Sequence, residues 1–225
     1  MPDGQYSFYL HNDDRTDIAA MATISTISQP LRGEFIRTAA AAGAVAYRAD
    51  ARLPALIPVF FDGQLSAARL CALMALVSGT WSALSGLPDE PDTGVPAQAI
   101  TPEADSRRRR YTLALQDDRS SERVEEILAG VSSRLRGELL RNLIISGLAL
   151  HTTAPELPRL LTSMPVPPAT AGELLNLVGQ VAQLVPVGLN TAAASAQEKP
   201  VSPERATAGA ETSGIKKNMR RAFGD

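Results

Sequence analysis

Leu31-Arg32-Gly33-Glu34-Phe35-Ile36-Arg37 recurs 104 residues later as Leu135-Arg136-Gly137-Glu138-Leu139-Leu140-Arg141. The same displacement lays Asp13-Asp14-Arg15 on Asp117-Asp118-Arg119 and Gly43 on Gly147. It also lays Leu53-Pro54 on Leu157-Pro158, and Leu70 and Leu73 on Leu174 and Leu177. The correspondence runs without a gap from Asp13 to Leu73. Two runs of identical charged residues in register exclude one unrepeated 225-residue fold and predict a tandem duplication.

Each copy opens with a strand signal. Tyr6, Phe8 and Leu10 alternate with Gln5, Ser7, Tyr9 and His11; Tyr111, Leu113 and Leu115 alternate with Arg110, Thr112, Ala114 and Gln116. Period-2 alternation reads as a half-buried strand. Aligning these apolar faces needs a displacement of 105, so the first copy carries one extra residue near Asn12. The Asp-Asp pair that follows is a helix N-cap signal. An amphipathic helix comes next, carried by Val124, Ile127, Leu128 and Val131, with Ile18, Met21, Ala22 and Ser25 as the weaker counterpart. Ser28 and Ser132 mark a break and a new N-cap. A longer apolar helix then spans about Leu31 to Arg48 and Leu135 to Thr152.

A lone short strand leaves its backbone N–H and C=O groups without partners. The duplication supplies the missing strand within the chain. The predicted fold is mainly α: tandem ribbon–helix–helix units that form an intrachain pseudo-dimer around a two-stranded antiparallel ribbon. Helical stretches at Ser66 to Leu84 and Thr170 to Val185 are expected to cap the core. Units 1–85 and 107–189 are joined by a Pro- and Gly-rich linker, 86–106, whose extended reach of ~70 Å lets the strands meet. Residues 190–214, rich in Ala, Thr, Ser, Pro and Glu, read as a disordered linker. Residues 215–225 read as a short basic amphipathic helix. There Ile215, Met219 and Phe223 share a face, with Lys216, Lys217 and Arg220 around it, a pattern suited to a groove in a partner protein or to a membrane surface.

Charge sharpens the reading. The formal net charge is −2, with 44% hydrophobic and 20% charged residues, which demands neither nucleic acid nor an anionic membrane. Yet residues 107–159 hold ten Arg against seven acids, whereas residues 1–58 hold five Arg against six. Arg107-Arg108-Arg109-Arg110 leads into the second strand. On the polar side of a ribbon, Gln5, Ser7, Tyr9, Arg108, Arg110, Thr112 and Ala114 are candidates for contact with DNA in the major groove. Arg32 and Arg136, in the first turn of each second helix, are candidates for phosphate contact. Arg37 and Arg141 are expected to pair with Glu34 and Glu138. Gln5, Ser7 and Tyr9 differ from Arg110, Thr112 and Ala114, so an asymmetric DNA site is expected.

One cysteine and two histidines exclude an internal disulfide framework and leave little for a zinc centre; Cys71 is expected in the core. No phosphate-binding glycine loop, metalloprotease motif or Ser–His–Asp grouping stands out. Neither an enzyme nor a cofactor is expected. The apolar run Thr38 to Tyr47 is too short to cross a bilayer, and Met1-Pro2-Asp3-Gly4 lacks a basic leader, so a cytoplasmic protein without a membrane partner is expected.

Ala42-Gly43, Tyr47-Arg48, Asp50, Arg52, Pro54 and Leu56 resemble the stretch after the second helix in the ParR/StbB adaptors of actin-type plasmid segregation systems. Lys216-Lys217-Asn218-Met219 through Phe223 is similar to the tail by which those adaptors hold the filament. The resemblance implies binding to centromere-like DNA repeats and self-association on them. It also implies capture of a ParM/StbA-type actin-like ATPase filament by the C-terminal helix, and repression of the protein's own operon. The chain departs from the family in being duplicated, since family members are usually single units that dimerise. A ribbon–helix–helix repressor or antitoxin without a filament partner, and a helical scaffold that binds no DNA, are the rival readings.

Overall fold

The computed structural model describes residues 4–81 and 108–182. Each repeat supplies one strand and four helices. In the first these are β1 (Gln5–His11), α1 (Arg15–Ser25), α2 (Arg32–Ala49), α3 (Leu53–Phe60) and α4 (Ala67–Ser78). In the second they are β2 (Arg108–Ala114), α5 (Arg119–Ala129), α6 (Ser133–Thr153), α7 (Leu157–Ser163) and α8 (Ala171–Val181). The expected linkers 86–106 and 190–214 and the 215–225 helix lie outside the described residues.

The two strands form one antiparallel sheet, in which Gln5 faces Ala114, Ser7 faces Thr112 and His11 faces Arg108. Phe8, Leu10 and Leu113 are buried beneath it, and Phe8 stacks on Tyr111 with ring centroids 5.3 Å apart. Aromatic and branched side chains on one face explain why these short segments are strands: each strand satisfies the other's backbone while its apolar side covers the helices.

Both first helices start where the acidic pairs predict. Asp14 accepts a hydrogen bond from the Asp17 amide at 3.0 Å, and Asp118 accepts from the Ser120 and Ser121 amides at 2.8 and 2.9 Å. The expected face of α5 is observed, with Val124, Ile127 and Leu128 buried. In α1 the expected face is one residue out of phase. The buried stripe is Asp17, Ala20 and Ile24, not Ile18, Met21, Ala22 and Ser25. Apolar periodicity misplaces it because the buried first-turn residue is a carboxylate. Ser28 and Ser132 occupy cap positions, but neither side chain makes a capping bond; a 3₁₀ turn, Gln29–Leu31, precedes α2.

The core is centred on α2 against α6. A Cβ on Gly43 would overlap the Leu143 carbonyl, and one on Gly147 would overlap the Ala39 carbonyl. Ala39 and Leu143 are themselves a 104-residue pair, as are Gly43 and Gly147, so the two contacts are the same contact made reciprocally. Only glycine lets the helix backbones come this close. Packing also crosses between repeats elsewhere: α3 lies on α6, α7 on α2, and α4 on α8. The boundary between sequence repeats is therefore not a boundary in space, and the described residues of both repeats cluster as one unit.

Two short helices, α3 and α7, lie outside the strand–helix–helix-plus-cap expectation. Pro54 and Pro158 open them, a position where the missing amide hydrogen costs nothing. The cap helix α4 ends at Ser78 rather than continuing to Leu84, because Gly79 takes the left-handed conformation at φ 75° and its amide closes the last turn. Cys71 is buried in α4, where loss of hydration pushes its thiol up to about 11. No helix among the described residues is long and apolar enough to cross a membrane.

Candidate nucleic-acid interface

The antiparallel register brings Gln5, Ser7, Tyr9 and His11 onto the same outward face as Arg108, Arg110, Thr112 and Ala114. All are exposed except Ser7, which is half-buried. Alternation along two strands suffices to build this face: whatever flanks Phe8, Leu10 and Leu113 must point away from the helices. His11 shares the face and was missed as a candidate, although the same alternation carries it.

The face is structured. Arg110 donates to the Ser7 hydroxyl from Nε at 3.2 Å and Nη2 at 2.9 Å. The Arg108 guanidinium lies 4.7 Å from the centre of the Tyr9 ring, a cation–π arrangement. Arg109 points to the opposite side, 5.5 Å from the Tyr111 ring centre. Burial raises the Tyr111 hydroxyl above its ordinary range, while Arg109 and Arg32 pull it back. The exposed ribbon is two strands wide, the breadth that the major groove accepts.

Arg32 and Arg136 occupy matching places in the first turns of α2 and α6, the helices that pack on β2 and β1 respectively. Both commit Nε to the preceding turn: Arg32 to the Ile27 carbonyl at 2.8 Å, Arg136 to the Val131 carbonyl at 3.1 Å. Arg32 also reaches the Ser25 carbonyl at 3.3 Å. Each guanidinium is thereby fixed beside a helix N-terminus, where partial positive charge already favours an anion.

Arg37 pairs with Glu34 as expected. Arg141 does not pair with Glu138. Its Nε donates to Asp17 Oδ1 at 2.6 Å, and Nη2 lies 3.4 Å from Asp14. Asp17 is fully buried and also accepts the His11 amide at 2.8 Å, so Arg141 follows the buried carboxylate rather than an exposed one on its own helix.

The partner-binding candidates Ile215, Lys216, Lys217, Met219, Arg220 and Phe223 lie outside the described residues. Among the described residues no group of His, Cys, Asp or Glu is arranged to hold a metal ion. Searches of curated proteins and of solved structures give no match. A family model described as plasmid stability protein matches residues 4–74 and again 109–178. The two matched segments coincide with the two repeats and together cover more than half of the chain, so this chain belongs to the plasmid stability protein family.

Proposed function

We propose that this plasmid stability protein is a DNA-binding adaptor of the ParR/StbB type. Its two repeats act as tandem ribbon–helix–helix units, an intrachain pseudo-dimer whose ribbon enters the major groove of centromere-like plasmid repeats. Its C-terminal segment couples the bound DNA to an actin-like ATPase filament. The same DNA contact represses the protein's own operon.

The observation that carries this reading is the outward ribbon face, where Arg108, Arg110, Tyr9 and Thr112 project from a sheet that exists only because the repeats pair. A β-ribbon with arginines on its solvent side combines phosphate attraction with side chains able to read base edges. Arg32 and Arg136 support it from the helix N-termini.

The test is a filament assay with the ATPase encoded beside the gene and DNA from upstream of it, comparing the full chain with one truncated after Gly214. DNA binding that survives truncation together with lost filament capture supports the adaptor. Unchanged capture overturns the C-terminal segment as the coupling element, and DNA binding with no filament partner leaves a repressor or antitoxin. For the ribbon, Arg108→Ala/Arg110→Ala is expected to weaken DNA binding. It should also flatten the dependence of log K on log salt by about one unit for each arginine on a phosphate. Unchanged affinity and salt slope would return the protein to a scaffold.

A further inference from the structure

The outward ribbon face has a centre and two unlike ends. Ser7 faces Thr112, and these residues are 105 positions apart, the displacement that superposes the two strands. The approximate two-fold axis of the ribbon therefore passes through this pair. Outward in one direction, Tyr9 faces Arg110 and His11 faces Arg108; outward in the other, Gln5 faces Ala114. In a ribbon of two identical strands these steps would be equal. Here one end carries two guanidinium groups, a phenol ring and an imidazole, and the other an amide and a methyl group. The charged end is also pre-set, by the stacking of Arg108 on Tyr9 and by the hydrogen bonds from Arg110 to Ser7.

Resting on the DNA-binding reading above, we infer that this chain binds duplex DNA in one direction. The Arg108–Tyr9–Arg110 end takes a half-site containing guanine, and the Gln5–Ala114 end takes an A·T half-site. The arginine fork matches guanine O6 and N7, glutamine matches adenine N6 and N7, and a small methyl side chain packs against the thymine methyl. A palindromic site offers the same half-site to both ends, so one end always meets the wrong bases. On head-to-tail DNA repeats, every bound copy then faces the same way along the duplex.

The experiment is selection of binding sites from a random-sequence duplex pool by the full chain. The partner selection uses a Gln5→Arg/Ala114→Tyr variant, in which both ends present a tyrosine opposite an arginine. The wild type is expected to enrich a non-palindromic motif with guanine confined to one half, and the variant an inverted repeat of that guanine half. Arg110→Ala should lose about tenfold or more in affinity for the wild-type motif and relax the guanine positions. A palindromic wild-type motif, or duplex retained without any motif, overturns the directional inference while DNA binding stands. No duplex retained even at low salt overturns the DNA-binding reading itself. The wild-type selection decides the matter even where a variant fails to fold.

Discussion

Asp17 and Ser121 occupy the same place in the two repeats. Each accepts the backbone amide that leaves its strand, His11 in one case and Gln116 in the other, at 2.8 and 3.2 Å. Around that shared bond the repeats diverge. Asp17 brings a buried negative charge and draws Arg141 across from the other repeat. Ser121 brings none, and the arginine corresponding to Arg141, which is Arg37, turns to Glu34 on its own helix. The neighbouring position differs as well. Where the first repeat has a buried Ala19, the second buries Arg123, whose Nη1 has no hydrogen-bond partner among the described residues. The backbone contacts at Gly43 and Gly147 stayed reciprocal, whereas side chains around them did not. A duplicated chain permits this, because each half of a pseudo-symmetric contact changes alone, whereas a homodimer changes both at once.

The largest expected effect probes what the repeats still share. Gly43→Ala and Gly147→Ala should each destabilise by about 3 kcal/mol in chemical denaturation, because the added methyl has backbone on its far side. Gly33, with nothing near its missing Cβ, should instead gain about 0.5–1 kcal/mol on the same substitution. Equal losses at Gly43 and Gly147 uphold the reciprocal contact; a gain at either breaks it.

The next effect separates the repeats. Asp17→Ala leaves Arg141 and the His11 amide without their buried acceptor and should cost about 3 kcal/mol, against about 1 kcal/mol for Ser121→Ala. Acid titration gives a second readout. Burial raises the Asp17 carboxyl despite the His11 amide and Arg141, so its contribution is full at low pH and is lost as pH rises through its folded value. Asp118 is pushed up by burial, but hydrogen bonds from Ser120 and Ser121 outweigh that and leave it below the usual carboxylate range. Its contribution is present at neutral pH and lost on acidification. Melting curves between neutral and acidic pH should therefore show Asp17→Asn gaining on the wild type as pH rises, and Asp118→Asn losing ground. Parallel slopes would remove the electrostatic difference.

The smallest effect concerns Arg123. Burial pushes its guanidinium below the ordinary range. Arg123→Met, which keeps the stem and removes the charge, should be neutral or stabilising by about 1 kcal/mol in the same unfolding assay. A loss above that size would assign Arg123 a partner-dependent structural role.

Much of the architecture was legible in the chain. The repeat, the two strands and the outward projection of Arg108 and Arg110 followed from spacing and period-2 alternation, because a strand's faces are set by local geometry alone. The phase of α1 was not legible, since Asp17 is a buried polar residue whose partner is 124 positions away. Likewise α3 and α7 are too short for periodicity to announce, and Pro54 and Pro158 were their local signal.

The sequence by itself determined that the pattern is repeated and which residues lie on the polar side of each strand. Only the tertiary structure decided which residues meet: Ser7 with Thr112, Gly43 with Leu143, Asp17 with Arg141. Strand alternation and N-caps depend on neighbours within one turn or one pleat. Register, helix approach and ion-pair choice depend on groups brought together from opposite ends of the chain, where distance and burial in the fold outweigh any local preference.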